Sequence, residues 1–430
     1  MTAQVQSPPA PTRLTVRQVA AAVVGNALEF FDFISYAFFA VQIGQTFFPG
    51  HSAFQSLMLS LMTFGVGFIG RPVGAVVIGA YGDRVGRKPA MILSFLMMSV
   101  GVLAMAVTPS YAQIGMAAPI IVLVARLVQG FALGGEVGPT TAFLIEASPP
   151  LRRGFYGCWQ YGSQNLAHLA AGLIGLALAS YMSAATLSAW GWRIPFLIGA
   201  CVLPVGFLIR SGLTETLAPT ERRAPRTPED QAAFRRAVIL GFAMLCSTTV
   251  SFGVFTFMTT YAAAILHMPQ KIAFGATITW GAFGLMASLA GGALSDRFGR
   301  KVVMVWPRLA FLVLILPCFI WLARARTAEA LILTVAVLTT LSCLSAGVGL
   351  VCLTESIPKS VRSGSLATTY AIAIAVFNGT VQLLVTWLIK VTGDVLWPAY
   401  YMAGATALGL IAMALMRETA PVKRGLNWAA

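Results

Sequence analysis

The sequence predicts an all-α integral membrane protein: twelve transmembrane helices arranged as two pseudo-symmetric bundles of six. Three observations carry this. Of 430 residues, 58% are hydrophobic and 10% charged, and the mean hydropathy is +0.81, the composition of a chain whose solvent is lipid. Apolar runs of about 20 residues or more follow one another, each enough to cross ~30 Å of hydrocarbon at ~1.5 Å per residue. Finally, Gly79-Ala-Tyr-Gly-Asp83-Arg84-Val-Gly86-Arg87-Lys88 recurs as Gly292-Ala-Leu-Ser-Asp296-Arg297-Phe-Gly299-Arg300-Lys301, an offset of 292 minus 79, or 213, close to half the chain. A second pair agrees: Glu146-x-x-Pro149-x-x-x-Arg153 matches Glu355-x-x-Pro358-x-x-x-Arg362, offset 355 minus 146, or 209. Two parallel repeats imply the internal symmetry that alternating access requires.

In order, residues 1–14 read as a disordered cytoplasmic tail, rich in Pro and polar residues. Thr15-Val-Arg-Gln18 is a capping box that opens the first helix. Spans are expected near 15–48, 54–82, 89–108, 117–147, 153–182 and 192–212, making a first bundle over 15–212. Residues 213–235 carry several charges and prolines and form a cytoplasmic linker. The second bundle, 236–417, holds spans near 236–265, 271–295, 301–322, 328–357, 362–391 and 395–417, and 418–430 form a cytoplasmic tail. Most of the 29 Lys and Arg fall in the tails, the linker and alternate loops, whereas loops such as 109–116 and 183–191 carry none. This positive-inside bias places both termini in the cytoplasm. It also assigns the net charge of +15 to orientation against lipid rather than to nucleic acid. The six cysteines have no C-x-x-C spacing and sit in apolar runs, which points to small buried hydrophobes rather than disulfides or a metal site. No signal peptide is read at the start, because the first apolar run is too long and carries Glu29 and Asp32.

A charge inside a span is costly and marks a candidate site. The first half holds Glu29, Asp32, Arg71, Arg126, Glu136 and titratable His168; the second holds Arg308, two turns from Lys301 and expected to snorkel to the cytoplasmic face. Coupling chemistry is therefore expected in the first half. Asp32 lies ~25 Å above the cytoplasmic start of its helix and Arg126 ~31 Å up its own, so an Asp32–Arg126 pair is expected, broken by protonation. Glu136 lies ~15 Å below Arg126, close to the ~17 Å depth of Arg71, and the two are candidate partners. Polar stripes point to a cavity. Gln160, Gln164 and His168 follow one another at i, i+4 and i+8, as do Asn378, Gln382 and Thr386 in the equivalent span of the second half. With Asn26, Arg71, Arg126 and Gln129 they are the candidate substrate-binding residues; interhelical hydrogen bonding is the alternative role for the stripes. Glu29, Asp32, Arg126 and Glu136 are the candidate proton-coupling set. Asp83, Arg84, Arg87 and their repeats Asp296, Arg297 and Arg300 form a candidate cytoplasmic gate: Asp83 is expected to dock on the helix start at Arg362–Gly364, and Asp296 on the one at Arg153 and Gly154.

These residues carry a resemblance. The chain resembles the major facilitator superfamily over essentially its whole length, through the G-x-x-x-D-R-x-G-R-K loops, Arg126-x-x-Gln-Gly and Glu146. Gly25-Asn-Ala-Leu-Glu29-Phe-Phe-Asp32-Phe, Arg71-Pro-Val-Gly74 and Trp190-Gly-Trp-Arg-Ile-Pro-Phe196 look like its metabolite:proton symporter branch. The resemblance implies alternating access in a bacterial inner membrane, coupled to protons through Glu29, Asp32 and Arg126. It implies a small organic acid as cargo, with citrate and tricarballylate carriers nearest in appearance. It leaves 2-oxoglutarate, shikimate, and proline or betaine as alternatives, and a non-transporting nutrient sensor as a reading from another class. The expected partners are the acid, protons and the bilayer, with no nucleic acid, no cofactor and a monomeric chain. An enzyme is not expected, since no nucleophile–base pair, metal-ligand cluster or phosphate loop stands out.

Overall fold

The computed structural model describes residues 16–85, 87–135, 137–146, 148–201, 228–358 and 362–425. Numbering the principal helices, the first half holds α1 (Val16–Phe38), α2 (Ala40–Phe47), α3 (Ala53–Val85), α4 (Arg87–Val107), α5 (Ala117–Gly134), α6 (Val137–Glu146) and α7 (Arg153–Tyr181). Residues 194–201 are helical and open the sixth span. The second half holds α8 (Pro228–Thr260), α9 (Gln270–Phe298), α10 (Arg300–Ala325), α11 (Ala328–Ser356), α12 (Arg362–Ala373), α13 (Gly379–Thr392), α14 (Trp397–Leu415) and the short α15 (Pro421–Arg424). Among the described residues, eight helices are long and apolar enough to cross a membrane, and α1 with α2 makes a ninth as a bent pair. Helix α4 has a shorter apolar stretch, Ile92–Val107, and α7 carries a polar stripe. With the sixth span they complete the twelve-helix, two-bundle architecture.

The helices depart from the expected runs in ways that matter locally. The first span bends by 68° at Phe39, whose φ of −104° and ψ of 20° leave the helical region; neither Gly nor Pro marks the bend. The fourth span is interrupted between α5 and α6, after Gly134-Gly135. The eleventh carries a wide turn, Ile374–Asn378, between α12 and α13, a feature that concentrates at functional sites. The described part of α8 includes Pro228 onward, inside the stretch assigned to the linker. The Thr15 capping box and linker residues 213–227 lie outside the described residues.

Close helix approach sets the scaffold. On α3, Gly67, Gly70 and Gly74 face backbone atoms of Arg126, Leu127 and Phe131 on α5, while Gly130 and Gly134 of α5 face the carbonyls of Gly67 and Arg71. Without side chains between them the two backbones touch, the small-residue mode of packing in lipid. This contact fixes Arg71 and Arg126, one on each helix, against each other. Between the halves, α7 runs along α9, from Gly154 against Gly292 to Gly175 against Phe274. Phe39 meets Phe274 at 5.5 Å between centroids, Thr260 donates to the Ala37 carbonyl at 3.3 Å, and Gly65 of α3 lies on the carbonyl of Gly379. The halves are thus joined at these points as well as at the polar network described below.

A side chain at Gly130 must push α3 and α5 apart. We predict that Gly130→Val lowers the melting temperature in detergent by about 5 °C or more, as overpacking costing 1–3 kcal/mol implies. Gly404→Ala, which meets nothing within 4 Å, is expected to leave it unchanged.

Candidate substrate site and inner gate

The centre of the first bundle is built on one aromatic ring. The guanidinium carbon of Arg126 lies 4.2 Å from the centroid of Phe33 and that of Arg71 lies 4.6 Å from it. The two guanidiniums are therefore no farther apart than these distances laid end to end. Arg126 also stacks on Tyr36 at 4.5 Å and Phe64 at 5.2 Å, and Arg71 on Phe68 at 4.5 Å. Cation–π contact partly replaces water but brings no negative charge. Arg126 is fully buried and donates once, from Nη1 to Gln129 at 2.7 Å; its Nε and Nη2 have no hydrogen-bond partner, nor has Nε of Arg71, which is 3% exposed. Among the described residues no carboxylate pairs with either arginine.

The expected Asp32–Arg126 pair is not formed. Asp32 is buried, its carboxylate packs against Gly199 of the sixth span, and Oδ1 accepts no hydrogen bond. The reason lies in helix geometry. Consecutive residues turn by ~100°, so if Phe33 faces the arginines, Asp32 faces away from them. Glu29, three residues earlier, is also buried. Glu136, the proposed partner of Arg71, lies outside the described residues.

The polar stripes divide among different neighbours. Asn26 of α1 donates to Ser163 Oγ at 2.6 Å, and Gln160 donates to Asn26 Oδ1 at 3.3 Å, so these amides partly tie α1 to α7. Gln164 is buried with both amide atoms unpartnered; Tyr370 of α12 approaches it and Arg71. Across the interface Gln382, with both amide atoms, and Asn378, with Oδ1, are likewise buried and unpartnered. His168 sits elsewhere. Its Nδ1 meets the Gln164 carbonyl at 2.7 Å, and its ring lies 3.6 Å from Trp280, 5.2 Å from Phe252 and 6.0 Å from Phe38. It is a histidine in an aromatic seam between the halves, not a neighbour of the arginines.

Arg308 does not snorkel. It is fully buried and donates to three serine hydroxyls: Ser247 at 2.6 Å from Nη2 and 3.1 Å from Nε, Ser342 at 2.9 Å and Ser251 at 3.2 Å. Its helix face points into the second bundle, where hydroxyls of α8 and α11 replace the water it would otherwise have to reach. Hydroxyl placement within those helices was the signal available in the sequence.

At the end of α9 Asp296 accepts from the backbone N–H of Gly154 at 2.8 Å and of Phe155 at 2.9 Å. This is the helix-start docking expected from the repeated loop. The α10 start supports it. Gly299 adopts φ 99°, a value that suits glycine, and so reverses the chain between α9 and α10. Arg300 then reaches back to Asp296 at 2.7 Å, Ser295 at 2.7 Å and Glu355 at 3.1 Å. A second bridge, Arg362 to Glu146 at 3.1 Å, joins the two copies of the Glu-x-x-Pro-x-x-x-Arg motif across the halves. The side chains of Asp83, Arg84 and Arg87 lie outside the described residues. Arg297 stands one residue beyond Asp296 at the end of α9.

The C-terminal segment, expected as a tail, completes this network. Glu418 Oε1 accepts from the N–H groups of Arg300 at 2.8 Å, Thr419 at 3.0 Å and Ala420 at 2.9 Å, and Oε2 from Lys301 at 3.0 Å. Thr419 donates to Glu355 at 2.5 Å. A carboxylate at a helix start is where the dipole wants it. Burial works to raise the Glu418 pKa, but these backbone bonds outweigh it and hold the group below its ordinary value.

The family profile of the Major Facilitator Superfamily matches residues 22–380. A citrate-proton symporter from Klebsiella pneumoniae is 38% identical over 393 residues, covering 90% of this chain and 88% of that protein. A proline/betaine transporter from Escherichia coli K12 is 31% identical over 421 residues, covering 94% and 84%. Among solved structures, a D-xylose-proton symporter superposes with a TM-score of 0.74 at 17% identity, covering 94% of this chain and 98% of that one.

We predict that Glu418→Gln raises the reactivity of a cysteine placed at the cytoplasmic end of α7 toward a membrane-impermeant thiol reagent by about threefold or more, because a neutral amide forfeits the charge-assisted bonds. Since the folded pKa is depressed, the Glu418 contact is whole above the ordinary carboxylate value near 4.5 and is lost as pH falls through the lower folded value. The ratio of reactivities between the wild-type and Glu418→Gln backgrounds carrying the same cysteine should therefore be equal at pH 8 and pH 6, the thiol's own pH dependence cancelling.

Proposed function

The chain belongs to the Major Facilitator Superfamily, and we propose that within it the protein is a proton-coupled symporter importing a small organic acid, best matched by a tricarboxylate such as citrate. One observation carries the proposal: Arg71 and Arg126 are buried on one ring, with guanidinium nitrogens unpartnered and, among the described residues, no carboxylate paired with either. A carboxylate cargo would bring them counter-charge, and a guanidinium fork binds it bidentately. Unpartnered Gln164, Gln382 and Asn378 supply neutral donors and acceptors for the remaining oxygens and hydroxyl. The citrate-proton symporter likeness supports the same reading.

Coupling follows from charge. Each negative charge carried inward against a negative-inside potential costs ~2.3 kcal/mol per 100 mV, so an acid importer must co-transport protons. Asp32 is suited to carry one. It sits on α1 next to Phe33 in the chain, yet against a different helix from the arginines, so it can gain or lose a proton without competing with cargo. A buried carboxyl with no counter-charge costs least when neutral; opening to water removes that constraint. Glu29 and Glu136 are further acids of the coupling set. Protons are the proposed coupling ion and no other cofactor is invoked. The proposed setting is a bacterial inner membrane, with a monomeric chain and both termini cytoplasmic.

An osmolyte carrier of the proline/betaine type fits less well. A quaternary ammonium needs open aromatic faces, and here Phe33, Tyr36, Phe64 and Phe68 are covered by guanidiniums.

The test is uptake into proteoliposomes with an imposed inward proton gradient and labelled citrate or proline. Citrate should accumulate and unlabelled citrate, not proline, should compete. Asp32→Asn is expected to abolish accumulation while retaining counterflow exchange, and Arg126→Gln to lower both by about a hundredfold, the scale of losing a charge-assisted bidentate contact. Proline accumulation without citrate uptake would overturn the assignment.

A further inference from the structure

Arg308 is the third deep guanidinium with no carboxylate paired to it among the described residues, and it belongs to the other half. Its four hydrogen bonds all go to serine hydroxyls, and among the described residues no acid pairs with it. Hydroxyls satisfy donors, but they do not cancel a charge. Arg300, by contrast, is neutralised by Asp296 and Glu355, as a structural ion network requires. A cation kept uncompensated in low dielectric costs several kcal/mol, and a purely structural serine nest could be replaced by apolar packing.

Its position suggests what the charge is for. Arg308 stands eight residues into α10, ~12 Å above the cytoplasmic helix start, well below Arg126. Ser342, which accepts from Arg308, is followed in α11 by Cys343, whose thiol accepts from Asn165 Nδ2 of α7 at 3.9 Å, so the serine nest borders the interface between the halves.

We propose that Arg308 is a second anion-binding station, on the cytoplasmic side of the path, which receives a carboxylate of the cargo after it leaves Arg71 and Arg126 and before release. The serines hold the guanidinium while the station is empty and yield a nitrogen to the carboxylate when the inner side opens. This rests on the organic-acid reading above.

The test separates the two membrane faces. Half-saturation for citrate is measured from outside by uptake and from inside by efflux in oriented proteoliposomes, for wild type, Arg308→Gln and Arg308→Lys. For Arg308→Gln the inside half-saturation should rise about tenfold or more while the outside value stays within about twofold, the loss of one charge-assisted contact at one station. Arg308→Lys keeps the charge without the fork, and should shift the inside value by a smaller factor in the same direction. Should the Gln variant not fold, the Lys variant carries the same asymmetry test. Equal shifts on both faces, a shift on the outside alone, or no shift would overturn the station and leave the acid reading standing. Absence of any citrate transport by wild type would overturn both.

Discussion

A guanidinium taken out of water without a counter-charge is among the most expensive things a protein can bury, and among the described residues Arg71, Arg126 and Arg308 are each buried with no carboxylate paired to them. Stacking on Phe33, Tyr36, Phe64 and Phe68, or hydrogen bonding to serines, recovers part of the lost hydration but leaves the positive charge in place. The rest of the structure can be understood as what makes this tolerable. Backbone contact between α3 and α5 through glycines leaves Arg71 and Arg126 little room to move. The bent first span brings Phe33 between them. The seam of Phe38, His168, Phe252 and Trp280 packs around the same interior level between the halves. Strain of this kind persists where surrounding structure over-determines it and where function uses it.

The polar network around the α9–α10 turn solves the opposite problem. There Arg300 meets Asp296 and Glu355, Arg362 meets Glu146, and Glu418 meets the start of α10. Such a network holds the halves together; Arg300 and Glu355 are buried within it, whereas the Arg362–Glu146 link is partly exposed and exchanges with water at modest cost. The division is consistent with alternating access: a paired, exchangeable latch at the rim and unpaired charges at depth waiting for cargo. Through Thr419 and Glu355 the C-terminal segment is wired into the latch.

Legibility from sequence followed the physics of each feature. The two-bundle fold was readable because lipid demands long apolar runs and because the loop at Gly79 recurs at Gly292. The Asp296 contact with α7 was readable because an aspartate at one helix end and a helix start at the mirrored position are both visible in the repeat. The Asp32–Arg126 pairing failed because depth along a helix was used and direction around it was not; the same α1 that aims Phe33 at the arginines turns Asp32 toward Gly199. Arg308 was misread for a related reason, since its distance from the membrane surface permits snorkelling but the serines of α8 and α11 offer nearer partners. The role of Glu418 was invisible, because a polar residue after the last span carries no periodic signal.

The central claim is that the deep arginines are held at a cost because cargo completes them. The most direct measurement compares wild type with a double variant, Arg71→Gln and Arg126→Gln, by thermal unfolding in detergent with and without citrate. The account predicts that citrate raises the wild-type melting temperature, and that the double variant loses this response yet melts no lower than unliganded wild type, by up to about 2–4 °C higher, because two uncompensated charges are gone. A double variant that melts well below wild type and is still stabilised by citrate would contradict it.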